Sequence, residues 1–217
     1  EEEALCADNG VEYHEVPIAT DALTVIVNND NDWVDCMTPE QLRQIWRADG
    51  ATQWSDVDSS WPDEEINRYG AADTSGTFDY FTEEIMGEGG ASRSDYQGTE
   101  QDNTIVQAVS GSKYATGYFG MAYYLENKDK VKALKVKGVM PSIETAKSGT
   151  YPPLSRPLFV YVAKESLEKP QVREFVKFYL ERTDSDIIKQ IGYVPMTTAD
   201  SEAMLEKLEE AIADVSE

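Results

Sequence analysis

The chain has 217 residues, 41% of them hydrophobic and 10% aromatic, which suits one large domain or two small ones with a real core and argues against disorder. Its 41 acidic residues against 19 basic give a net charge of −22 spread along the whole sequence. Nucleic acid and anionic membrane are poor partners for such a surface, because phosphate backbones select Lys and Arg. Acidity of this kind keeps a protein soluble by repulsion, as in a salt-rich habitat where salt screens the self-repulsion.

The N-terminal Glu1-Glu2-Glu3-Ala4-Leu5-Cys6 has no basic or apolar signal region, so any leader is expected to lie outside this sequence. No apolar run approaches the roughly 18 residues of a membrane span, so no membrane insertion is expected. Cys6 and Cys36 lack the CxxC spacing of metal or redox sites. A disulfide between them is open to an exported chain, and two separate thiols are the alternative. A single histidine, His14, argues against a multi-histidine metal site and a Ser-His-Asp site.

In chain order, Ala22-Leu23-Thr24-Val25-Ile26-Val27 is a nearly continuous β-branched run, as in a strand buried on both faces. The polar Asn28-Asn29-Asp30-Asn31-Asp32 ends it in a turn. Thr38-Pro39-Glu40-Gln41 carries N-cap, N1 proline and capping-box glutamine, so a helix starts there with Leu42, Ile45 and Trp46 on one face. Gly70-Ala71-Ala72-Asp73-Thr74-Ser75-Gly76-Thr77, followed by Phe78, Phe81 and Ile85, predicts strand, tight turn and helix. Residues 87–103 read as loop, with a helix around Thr104–Val109. Leu158 to Val162 is a second apolar strand. Val172, Phe175, Val176, Tyr179 and Leu180 form a helical stripe, and Met204, Leu208, Ala211, Ile212 and Val215 form another. The mixture is α/β.

The chemistry concentrates at Thr74-Ser75-Gly76-Thr77. A helix start leaves backbone N–H groups without intrahelical partners, and with the macrodipole these favour an anion by roughly 0.3–2 kcal/mol. Gly76 permits close approach, and Ser75 and Thr77 add hydroxyls. The same residues also read as a plain Ser/Thr N-cap. The motif is not a Walker loop, since GxxxxGK[ST] is absent.

Seven stretches in order carry a resemblance: Asn9-Gly10-Val11-Glu12-Tyr13 with Val16-Pro17, Asn31-Asp32-Trp33-Val34-Asp35-Cys36, Asp73 to Phe81, Gly90-Ala91-Ser92-Arg93, Gly117-Tyr118-Phe119-Gly120, Pro153-Leu154-Ser155-Arg156-Pro157-Leu158 and Gly192-Tyr193-Val194-Pro195. From about Gly10 to Pro195 the chain resembles the phosphate-binding solute receptors of Pst-type ABC transporters. The resemblance implies a type II periplasmic-binding-protein-like α/β fold, with no cofactor, no metal and no catalysis. Residues 1–27 would be a remainder of lobe one and the first hinge crossing. Residues 28–153 would be the second lobe, and 154–217 the second crossing with helices returning to lobe one. Ser75, Gly76 and Thr77 match the family's anion grip. The implied partners are inorganic phosphate and the permease subunits, and the implied location is outside the cytoplasm.

Two departures matter. Better-known relatives have an Arg two residues before the motif's Asp, where this chain has Ala71, so Arg93 is the candidate cation and Arg156 a weaker one. The first half of lobe one, with its own anion ligands, has no counterpart here, so weak phosphate affinity and exposed apolar surface are expected of this chain alone. Alternatives are a receptor for another tetrahedral oxyanion, a sensing module, or a hydrolase using Asp73 and Asp79.

Overall fold

The computed structural model describes residues 2–215. They fall into two compact units, one of residues up to Thr20 together with those from Pro157 on, the other Asp21–Arg156. The lobe boundary is expected after residue 27, and the first unit's leading segment ends at Thr20. Asp21 to Asn28 are all buried in the second unit's sheet, so the apolar run belongs to that unit rather than to the first. The return boundary, expected after 153, falls after Arg156.

In chain order the elements are α1 (Glu2–Asp8), β1 (Tyr13–Asn28), β2 (Cys36–Met37), α2 (Pro39–Trp46), α3 (Trp54–Val57), β3 (Asn67–Ala71), α4 (Gly76–Met86), β4 (Gln97–Thr99), α5 (Asp102–Ser110), β5 (Ala115–Gly120), α6 (Met121–Glu126), β6 (Val131–Ala133), β7 (Lys135–Val136), α7 (Ile143–Lys147) and β8 (Ser155–Ala163). A 3₁₀ turn (Lys164–Glu168) precedes α8 (Pro170–Leu180), α9 (Asp186–Gln190) and α10 (Thr198–Asp214).

In the second unit the strands run β4-β3-β5-β1-β6, with β3 parallel to both β4 and β5, and β1 antiparallel to β5 and β6. Side chains alternate across a strand. Leu23, Val25 and Val27 of β1, with Tyr118 of β5, therefore join one core with α2 and α4 residues, while Ile26 and Phe119 join another with Ile105, Val106 and Val109 of α5. The sheet is sandwiched between helices, the α/β architecture expected of the sequence.

Local chemistry sets the helix ends. Thr38 Oγ1 accepts from the Gln41 N–H at 3.2 Å and Gln41 Oε1 accepts from the Thr38 N–H at 3.0 Å, completing the capping box that starts α2. An aromatic stack then fixes α2 and α4 to the sheet. Phe81 lies on Tyr118 with centroids 3.8 Å apart, and Trp46 meets Tyr118 edge-on at 4.9 Å. Such pairs contribute about 0.5–1.5 kcal/mol each beyond burial.

The first unit has its own core of Val16, Val162, Leu167, Val176, Leu180, Leu208 and Ala211, with Met204 and Ile212 of α10, and Val215 just after it, packed against it. The stripe expected on α8 is only partly covered there. Val176 and Leu180 turn into the core, but Phe175 is 61% exposed, and Phe178, Ile187 and Ile191 are exposed beside it. No cystine forms between Cys6 and Cys36. Both thiols are free, Cys6 on α1 of the first unit and Cys36 exposed in the second, each with its own surroundings.

Backbone also approaches closely at Gly117 of β5, where an added Cβ would lie 2.6 Å from Tyr69 O and 2.9 Å from Ile105 Cγ2. Gly117→Ala is expected to lower stability by about 1–3 kcal/mol through overpacking, measured as the shift in urea midpoint at constant slope.

Candidate functional site

The site is built where β3 ends. Parallel strands β3 and β4 pair Gly70 with Gly98 and Ala71 with Thr99, and the Ala72 N–H donates to Thr99 O at 3.1 Å. The chain then turns through Asp73 and Thr74 into α4, so a helix N-terminus stands at the carboxyl end of parallel strands, the usual ligand position in α/β sheets. Thr74 Oγ1 donates to Glu100, which ties this turn to the one following β4.

Ser75 is the N-cap, in extended conformation, and its Oγ accepts from the Thr77 N–H at 3.2 Å. Its carbonyl receives the Phe78 N–H at 2.9 Å and, more loosely, the Asp79 N–H at 3.2 Å. The Gly76 N–H has no acceptor among the described residues, Gly76 is exposed, and nothing lies within 4 Å of where its Cβ would be. The helix therefore presents a free N–H to solvent at the positive end of its dipole.

An open cavity of about 510 Å³ adjoins this turn, lined by Asp73 and Asp79 among others, and across from them by Ser92, Arg93, Ser94 and Tyr96. Of the four residues singled out in the sequence, Arg93 lines the cavity, while Ser75, Gly76 and Thr77 stand between two residues that do. The 87–95 segment is held to α4 by the Gly90 N–H, which donates to Thr82 Oγ1 at 2.8 Å. Tyr96 seats its hydroxyl on Ala71 O at 2.8 Å and stacks on Phe78. Burial, aided by the nearby Asp73 charge, pushes that phenol upward.

Arg93 is only 5% exposed and strongly engaged. Nε and Nη2 donate to the two oxygens of Asp95, while Nη1 donates to Ile45 O at 3.1 Å and Ala51 O at 2.9 Å. Of the guanidinium's five N–H groups, one on Nη2 is left. The hydrogen bond from Arg93 holds the Asp95 carboxyl down to about 2. Sequence reading missed Asp95, although its i+2 spacing from Arg93 was visible. It also missed Arg68, which is 6% exposed and donates to Ile45 O, Ala51 O and Ile66 O, sharing two of Arg93's acceptors. Arg156 does not line the cavity. It pairs with Asp21 and covers the Tyr80 ring.

Set against known proteins, residues 1–183 match the PBP superfamily domain, and the chain belongs to that superfamily. It is 45% identical over 204 residues to protein SphX of Synechocystis sp., covering 90% of this chain and 60% of that one. It is 38% identical over 216 residues to the phosphate-binding protein PstS of Staphylococcus epidermidis, covering 97% of this chain and 65% of that one. Among solved structures, a possible phosphate binding protein from Planctomyces limnophilus matches with a TM-score of 0.90 and 43% identity, over 97% of this chain and 76% of that one. The chain thus spans about 60% of the length of the SphX protein it matches.

Asp102 opens α5, and burial alone pushes its carboxyl up to about 6 from 3.8. The fold favours the protonated form, so the Asp102 contribution to stability is fullest below about pH 4 and is lost as pH rises through 6. Asp102→Asn is expected to remove that slope and to stabilise the protein at pH 7 by roughly 1–3 kcal/mol, towards the lower end because the helix start favours the carboxylate. Urea unfolding of both proteins at pH 4.5 and 7.5 checks this.

Proposed function

We propose that the chain is the phosphate-holding portion of a non-catalytic receptor that works outside the cytoplasm and hands inorganic phosphate to the permease of an ABC transporter. The observation that carries this is the exposed, unpaired Gly76 N–H at the start of α4, set at the carboxyl end of parallel strands beside an open polar cavity. Ser75 and Thr77 supply hydroxyls, and Arg93, held by Asp95, supplies its remaining Nη2 N–H. Asp73 and Asp79 line the same cavity and offer carboxylate acceptors to the ligand. Inorganic phosphate at neutral pH brings a P–OH to donate to them, and sulfate brings none.

The relatives point the same way by name, since the Staphylococcus epidermidis protein is called phosphate-binding. Handover to a permease and location outside the cytoplasm rest on the likeness to Pst-type receptors. Because the chain spans 60% of the SphX length, its own affinity is expected to be weak.

Titration of the ¹⁵N-labelled chain with inorganic phosphate tests the reading. The Gly76 and Thr77 amide signals are expected to move, with a midpoint of about 1 mM or weaker, equivalent to roughly −4 kcal/mol or less, and sulfate should move them less. Gly76→Ala leaves the fold intact, since its Cβ meets open space, but places a methyl group at the free amide, and the shifts should shrink severalfold. Unmoved Gly76 and Thr77 signals would overturn the proposal.

A further inference from the structure

The second unit begins at Asp21 and ends at Arg156, and these two residues are paired. Arg156 Nε lies 3.4 Å from Asp21 Oδ2, and the Asp21 side chain is only 11% exposed. The guanidinium carbon sits 3.9 Å over the ring of Tyr80. Tyr80 is buried, and its hydroxyl donates to Pro153 O at 2.8 Å, just ahead of β8. Tyr80 stands four residues after Gly76, so it lies on the same face of α4, one turn along. One unbroken set of contacts thus joins the strand on which the chain enters the unit, the strand on which it leaves, and the first turns of the helix that presents the free amide.

We propose that Arg156 is a positioning residue that locks the start of α4, through the Tyr80 ring, to β1 and β8, so that an anion at Gly76 is felt at Asp21. The inference rests on the anion reading above. A planar guanidinium can serve a carboxylate and an aromatic face together, which an ammonium cannot do in the same geometry. The charged and titratable groups around it are Asp21 from β1, Tyr80, Glu83 and Glu84 from α4, and Tyr151, whose buried hydroxyl has no partner. Burial pushes the Asp21 carboxyl up despite Arg156. As pH falls, Asp21 therefore takes a proton above the ordinary carboxylate range and releases Arg156.

The same phosphate titration decides the matter when the Ala22 amide and the Arg156 Nε–H are followed beside Gly76 and Thr77. In the unaltered protein all four are expected to move with one midpoint. Arg156→Lys keeps a cation for Asp21 but loses the planar stack. Gly76 and Thr77 should still move, with a midpoint weakened about fivefold, while the Ala22 response falls by more than half. Tyr80→Leu should act alike and Tyr80→Phe, which keeps the ring, should restore the response, so the test survives if one variant does not fold. Lowering pH should uncouple Ala22 in the unaltered protein, and Asp21→Asn should be uncoupled already at neutral pH. The proposal fails if Ala22 stays still while Gly76 moves, or if its response survives both Arg156→Lys and Tyr80→Leu. If Gly76 and Thr77 themselves do not move, the anion reading falls and this inference with it.

Discussion

A helix that begins at the carboxyl end of a parallel strand must leave its first N–H groups without intrahelical acceptors, and the second unit is organised around holding one such start in place. Ser75 caps the Thr77 N–H and takes Phe78 on its carbonyl, which leaves the Gly76 N–H to face outward. That orientation is kept from below by Phe81 stacked on Tyr118, from the side by Arg43, whose Nε donates to Ile85 O at 2.7 Å, and from the following loop by the Gly90 bond to Thr82. A donor fixed by this many contacts loses little freedom when it takes a ligand.

The net charge of −22 does not oppose this arrangement in the way a simple count suggests. Surface carboxylates separated from the site by more than about 8 Å are screened at physiological salt, whereas an oriented amide acts at hydrogen-bond distance. The carboxylates that matter are the near ones, Asp73 and Asp79 on the cavity and Asp95 behind Arg93. Asp95 is committed to Arg93 and acts as part of a neutral pair. Asp73 and Asp79 remain available, so the cavity accepts hydrogen bonds as well as donating them.

What could be read from sequence was set by local chemistry. The capping box of Thr38 and Gln41, the buried run at 22–27 and the Ser75 N-cap all follow from residues within four positions of one another, and each stands in the structure. The helix start itself was legible for the same reason. The unit boundary at Asp21 was not, because the apolar run gives no sign of which neighbours cover it. The exposure of Phe175 was equally hidden: helical periodicity shows that a face is apolar, not how much of it finds cover. The surroundings of Arg93 depend on carbonyls more than forty residues earlier in the chain, a relation no local pattern encodes.

Those carbonyls explain how two buried guanidinium groups can lie side by side. Ile45 lies in the last turn of α2 and Ala51 in the loop after it, so Arg68 and Arg93 converge on the negative end of that helix and share both carbonyls. Burial, with the adjacent Arg93 charge, pushes Arg68 down to about 10, still far enough above neutrality to keep it protonated. Asp95 offsets the second charge. A free surface arginine would have to surrender side-chain entropy to meet an anion; Arg93 has already lost that freedom to the fold, and its one remaining Nη2 N–H is the donor the fold leaves over.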